Sequence, residues 1–108
     1  MTVSEFAAKN SLSVLSLPDG EREIRGGYTG DLLSWVMGRA KADCAWVTIM
    51  SNQNIVAVAA LADVACIILA EGVTLTEDII ETAKRKNINI LSGEADAFTL
   101  CALLSLEI

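Results

Sequence analysis

The sequence predicts an α/β fold: a single three-layer domain with a small, mostly parallel sheet flanked by helices. Three observations predict it. The first is residues 55–70, IVAVAALADVACIILA, the most continuously apolar stretch of the chain, broken by one charge, Asp63. A bilayer-spanning helix takes about 20 apolar residues, so this run reads as two buried elements, a small helix over residues 55–61 and a strand over residues 64–69. A strand that is apolar on both faces belongs in the middle of a parallel sheet covered on both sides. The second is the order of elements from Asp31 onward: helix, strand, helix, strand, helix, strand, helix. That alternation builds parallel strands through right-handed crossovers. The third is size: 108 residues, 53% of them hydrophobic, suit one domain covering residues 1–108.

Taken in order, Thr2 caps a short helix over residues 3–9 with Val3, Phe6 and Ala7 on one face, and Asn10 ends it. Residues 12–17 alternate aliphatic and Ser side chains with one slip and form a strand near an edge. Pro18-Asp19-Gly20 is a turn. Residues 21–25 are polar apart from Ile24 and form an edge strand or extended segment. Gly26, Gly27 and Gly30 give the connection GGYTGD unusual backbone freedom. A helix follows over residues 31–41, with Leu32, Leu33, Val36, Met37 and Ala40 in one stripe and Trp35 off it.

Residues 44–50, CAWVTIM, are β-rich and form a strand. The polar loop SNQN leads into the apolar run, with Asn54 placed to cap its helix. After the central strand, Glu71-Gly72 turns the chain. Thr74 and Glu77 have capping-box spacing before a helix over residues 75–86. That helix carries acids first and bases last, with Glu81 and Arg85 at i, i+4 and with Ile79, Ile80 and Ala83 facing inward. Asn87 closes it. Residues 88–91 are a third apolar strand, Ser92-Gly93-Glu94 a loop, and residues 95–106 a last helix with no charge between Asp96 and Glu107.

Composition excludes several classes of function. Net charge is −6, which argues against nucleic-acid binding. The Lys84-Arg85-Lys86 triplet reads as a solvated helix end. The chain has no His, which removes His-based acid–base catalysis, His-dependent triads and imidazole metal ligands. Cys44, Cys66 and Cys101 lack CxxC spacing and read as buried thiols of a reducing cytoplasm. No signal peptide or membrane span is expected, so the localisation expected is cytoplasmic. No catalytic residue and no metal site is assigned, and the chain reads as a non-enzyme.

Three places are candidates for function. Gly26, Gly27, Tyr28 and Thr29 precede a helix start, where backbone amides can cradle a phosphate. No P-loop Lys follows, the spacing is not GxGxxG, and Asp31 repels an anion, so a tight strand-to-helix connection competes with that reading. Asn52 and Asn54 follow one strand and Ser92 and Gly93 another, so all four share the C-terminal edge of a parallel sheet, where α/β folds bind small molecules. Helix capping explains Asn54 and Ser92 equally well. The last helix is apolar nearly all round, and one sheet cannot bury every face of one helix. Phe98, Leu100, Leu103 and Leu104, together with Trp35, are therefore the expected dimer interface. Asp63 reads as a cap at a helix–strand junction rather than a buried acid.

Glu23-Ile24-Arg25-Gly26-Gly27 resembles the motif that names the DRTGG domain, with Ile24 and Arg25 departing from the consensus Arg and Thr. The resemblance continues through YTGD (residues 28–31), NIVAV (54–58), INIL (88–91) and DAFT (96–99). It covers most of the chain from Leu12 on. DRTGG domains are small α/β modules found beside CBS domains in regulatory pyrophosphatases and within phosphate acetyltransferases, and they resemble the N-terminal domain of HPr kinase/phosphorylase. Stand-alone copies look similar to small clostridial-type proteins encoded near redox and hydrogenase genes. The resemblance implies a non-catalytic regulatory or dimerising module, and the apolar last helix, the off-stripe Trp35 and the lack of catalytic chemistry point to a homodimer that docks on or signals to a partner protein. The resemblance also implies the alternative of a sensor for an adenine nucleotide, with no resident cofactor.

Overall fold

The computed structural model describes the whole chain, Met1–Ile108, as one three-layer α/β domain. The elements are α1 (Val3–Lys9), β1 (Ser13–Ser16), β2 (Gly26–Thr29), α2 (Leu33–Arg39), β3 (Cys44–Thr48), α3 (Asn54–Ala62), β4 (Cys66–Leu69), α4 (Glu77–Arg85), β5 (Ile90–Ser92) and α5 (Ala97–Ser105). The sheet has five strands in the order β1-β5-β4-β3-β2. Strands β2 to β5 run parallel, and β1 is antiparallel to β5 at one edge with an irregularity between Val14 and Ser16.

The apolar run behaves as its sequence requires. Every residue of β3 and of β4 is buried, and both strands lie inside the sheet. Their side chains alternate between two cores. Cys44, Trp46, Ile67 and Leu69 meet Val36 of α2, Ile55, Val56, Val58 and Ala59 of α3, and Ile79 and Ala83 of α4. Ala45, Val47, Cys66 and Ile68 meet Val3, Phe6 and Ala7 of α1 and Leu100 and Leu104 of α5. Helices α2, α3 and α4 thus share one face, as three successive right-handed crossovers demand. Helix α5 crosses back over the other face to reach β2 and β3.

Residues 17–25 strap the N-terminal ends of the parallel strands. The buried Asn89 amide donates to the carbonyls of Asp19 (2.8 Å) and Ala65 (3.0 Å) and accepts from the Asp19 N–H. Arg22 donates to the carboxylates of Asp43 (2.9 Å) and Asp63 (2.9 Å) and to the Asp63 carbonyl. Partial burial opposes its charge, but the bonds to Asp63 and Asp43 outweigh that and raise the Arg22 pKa further. Asp63 is the C-cap of α3 in the left-handed region (φ 57°), so it terminates the helix as its position implies. The strap also satisfies α1: the Val3 and Ser4 amides donate to the carbonyls of Arg22 and Gly20.

Several local expectations are corrected. Gly26–Thr29 is a strand, not a loop: it pairs with Cys44–Val47 in register, and its Gly pair hid that from residue preferences. Helix α2 is only Leu33–Arg39, and of its stripe Val36 alone is buried while Leu32 and Met37 stay exposed. The Thr74–Glu77 capping box does not form, because α4 starts at Glu77 with Thr76 at its N-cap. Asn54 does not cap α3: the N-cap is Gln53, which makes no side-chain cap bond, and Asn52 just before it accepts from the Asn54 N–H at 2.9 Å. Lys84 pairs with Glu81, while Arg85 donates to Thr82. At the other end of the chain, Thr2 and Glu5 complete a full capping box on α1.

Two predictions test this construction. Ile67→Ala, in the middle of β4, is expected to cost about 2–5 kcal/mol in urea unfolding, because it opens a cavity between two packed layers. Asp96 caps α5 by accepting from the Thr99 N–H (2.7 Å), and that bond holds its carboxyl below the usual range. A carboxyl depressed in the folded state contributes stability that is present above its unfolded pKa and lost as pH falls through the folded one. Asp96→Asn retains the cap, so its melting temperature should drop less than the wild type's as pH falls from neutral to about 3.

Candidate functional site

The residues singled out in the sequence do not converge. Ser92 is buried and donates to the Val73 carbonyl at 3.0 Å, and a side chain at Gly93 would strike Leu12 at 2.9 Å. Both are committed to packing. Asn52 and Asn54 are exposed at the start of α3. Asp31 does not guard a phosphate cradle; its carboxylate accepts from the Thr48 hydroxyl (2.7 Å) and the Ile49 N–H (3.1 Å), which ties the β2–α2 and β3–α3 connections together. With β5 three strands from β2, Ser92 lies about 14 Å from the glycine strand by strand spacing.

Asn54 lines a groove of about 310 Å³ between α3 and α4 with Val56, Ala57, Ala60, Thr82 and Lys86. The other candidate is β2. It is an edge strand paired only with β3. The Gly30 N–H bonds inward to the Val47 carbonyl, so the alternation of a parallel ladder turns Tyr28 inward as well and leaves the N–H and C=O of Gly27 and Thr29 facing out. A groove lies on each side of this edge. The first, about 290 Å³, runs between β2 and α5 and is lined by Gly27, Tyr28, Thr29, Cys101, Leu104, Ser105 and Ile108. The second, about 380 Å³, runs between β2 and the α2–β3 connection and is lined by Arg25, Gly26, Tyr28, Arg39 and Lys41 among others. Tyr28 leans from β2 onto the core beneath the second groove. Arg39 also lies over the Trp35 ring at 3.7 Å.

The two glycines differ in their reason for being there. A Cβ on Gly27 would stand 2.7 Å from the end of the Leu104 side chain, so any larger residue there makes Leu104 move aside. A Cβ on Gly26 would meet nothing nearer than Cys44 at 4.0 Å. The basic side chains around Gly26 were not read from the sequence as a group. Arg25, Arg39 and Lys41 are far apart along the chain and are assembled by the β2–β3 pairing.

The residues expected at a dimer interface are divided by the fold. Leu100 and Leu104 are core residues, 1% and 3% exposed, and are withdrawn from any interface in this structure. Leu103 is half-buried. Phe98 is 84% exposed and Trp35 52%, but they stand on helices of opposite layers and form no common patch. The thiols of Cys44 and Cys66 are pushed up by burial, which keeps them protonated and unreactive. No three His, Cys, Asp or Glu side chains cluster to hold a metal ion, and no helix is long and apolar enough to cross a membrane.

Comparison with known proteins adds a family. Residues 32–106 match the profile of the DRTGG domain. The chain belongs to the DRTGG domain family. The match begins after Glu23–Gly27, so this DRTGG domain is identified by its βαβ body and last helix rather than by the segment that resembles the family's name. No curated protein sequence matches. Among solved structures, the CBS and DRTGG domains of the regulatory region of Clostridium perfringens pyrophosphatase, complexed with the activator diadenosine tetraphosphate, align with a TM-score of 0.78 at 18% identity. The alignment covers 95% of this DRTGG domain and 45% of that chain, so this chain spans less than half its length. At that identity the likeness is one of fold.

The glycine pair gives a contrast that can be measured. Gly27→Ala should lose about 1 kcal/mol by thermal or urea unfolding, because the Leu104 side chain must leave its packed position. Gly26→Ala should be neutral or gain up to about 1 kcal/mol, since its site has room and the unfolded chain loses freedom.

Proposed function

We propose that this DRTGG domain is a non-catalytic regulatory module that acts by association: it pairs with a second copy of itself and docks on or signals to a partner protein. The observation that carries this reading is the outer face of α5. Phe98, Ala102 and Leu106 recur at four-residue spacing, all exposed, and Ile108 beyond the helix is 55% exposed. Residues so spaced form one stripe along a helix, and an apolar stripe open to water favours a partner. Family membership and the regulatory setting of the pyrophosphatase neighbour support the regulatory part. The three free thiols support a cytoplasmic setting.

A second reading is an adenine-nucleotide sensor. It is supported by the neighbour's diadenosine tetraphosphate and by the Arg25, Arg39 and Lys41 groove, a cationic place on a chain of net charge −6. Calorimetry with AMP, ADP and ATP tests it, and absence of heat at millimolar ligand removes it.

Sedimentation at micromolar concentration tests the first reading. The wild type should sediment as a dimer. Phe98→Asp should weaken the dimer by about 2 kcal/mol, roughly thirtyfold in Kd, with unchanged helical circular dichroism. A wild-type monomer would overturn the homodimer.

A further inference from the structure

The geometry points to the outer edge of β2 as a docking site for an extended, acidic segment of a partner protein, added to the sheet as a further strand. This deepens the association reading and rests on it only in taking contact as the means of action.

The two edges of the sheet are treated differently. Edge strands carry unpaired N–H and C=O groups, and proteins blunt them with bulges, Lys or Pro. The β1 edge has the irregularity between Val14 and Ser16. The β2 edge, GGYT, has no irregularity in its register, no Lys and no Pro. The N–H and C=O of Gly27 and Thr29 point out of the sheet, and with no side chain on Gly26 or Gly27 a neighbouring backbone can come close.

The grooves on either side fit the side chains of such a strand. Successive residues of a strand point to opposite faces, so a segment lying along β2 drops alternate side chains into the two grooves. On the α5 side it meets Cys101, Ser105 and Ile108, which suit small or aliphatic groups. On the other side it meets Arg25, Arg39 and Lys41, which suit carboxylates. The complementary segment alternates Asp or Glu with aliphatic residues. A second copy brings no carboxylate in its own Gly26–Thr29 and sets its Arg25, Arg39 and Lys41 against the first set. A nucleotide leaves Gly27 and Thr29 unpaired and meets cations that are all exposed rather than enclosed.

The test is amide NMR and hydrogen exchange on the full chain, titrated with a peptide alternating Glu and Val, with its Lys and Val counterpart, and with ATP. The Glu–Val peptide should shift and protect the Gly27 and Thr29 amides, and the Lys–Val peptide should not. Affinity should fall roughly tenfold in the double variant R39E/K41E, which removes charge outside the core. It should fall similarly in Thr29→Pro, which deletes an outward N–H that β3 does not use. Thermal unfolding of both variants verifies their folding. Phe98→Asp should leave peptide binding intact, so loss of the dimer and loss of this site are read separately. Unchanged affinity in R39E/K41E, or binding without protection of Gly27 and Thr29, overturns the proposal. So does protection of those amides that rises with protein concentration alone, which assigns the edge to a second copy. A response of Arg39 and Lys41 to ATP with none to the peptide also overturns it, in favour of the nucleotide.

Discussion

Two adjacent strands, β3 and β4, have no side that tolerates water. The rest of the molecule is arranged to satisfy them. Their backbones need a paired neighbour on each side, which β2 and β5 supply. Their side chains need cover above and below. Three crossover helices fall on one face by the handedness of the connections, so the opposite face depends on the two ends of the chain, α1 and α5. Helix α5 therefore traverses the sheet from β5 toward β2, and its inner leucines become core while its outer stripe remains bare.

Closure of the two ends of the sheet follows from that packing. At the N-terminal end the strap spans from one edge to the other, held by the Asn89 amide and by Arg22 bridging Asp43 and Asp63. Both aspartates sit in the left-handed region just before β3 and β4, where short polar residues tolerate a positive φ. At the C-terminal end Asp31 joins two connections, and the Gly72 N–H bonded to the Gly93 carbonyl joins two more. No buried polar side-chain atom is left without a hydrogen bond.

That economy bears on function. Ligand crevices in open α/β sheets form where the strand order reverses and helices diverge to opposite faces. Here β2 to β5 advance in one direction with all three connecting helices on one side, so the parallel strands contain no such point. The loops at the strand ends are occupied with holding one another. The surfaces left open include the outer face of α5, the free edge of β2 and the shallow groove between α3 and α4.

The sequence by itself determined the class of fold, the buried central strand, the edge position of β1, the capped first helix and the role of Asp63. Each of these follows from a local pattern: hydrophobic periodicity, an N-cap, a charge interrupting an apolar run. Tertiary structure decided the rest. That Gly26–Thr29 is a strand depends on β3 lying beside it and on Leu104 filling the space a side chain would take, and neither is visible in four residues that open on two glycines. Which leucines of α5 are core and which are bare depends on the direction in which that helix crosses the sheet, because an apolar pattern all round carries no sign of its buried side. Arg25, Arg39 and Lys41 become one cationic groove only when parallel pairing brings residues distant in sequence to the same edge. Periodicity records what a segment buries; it does not record what other segments are brought against it.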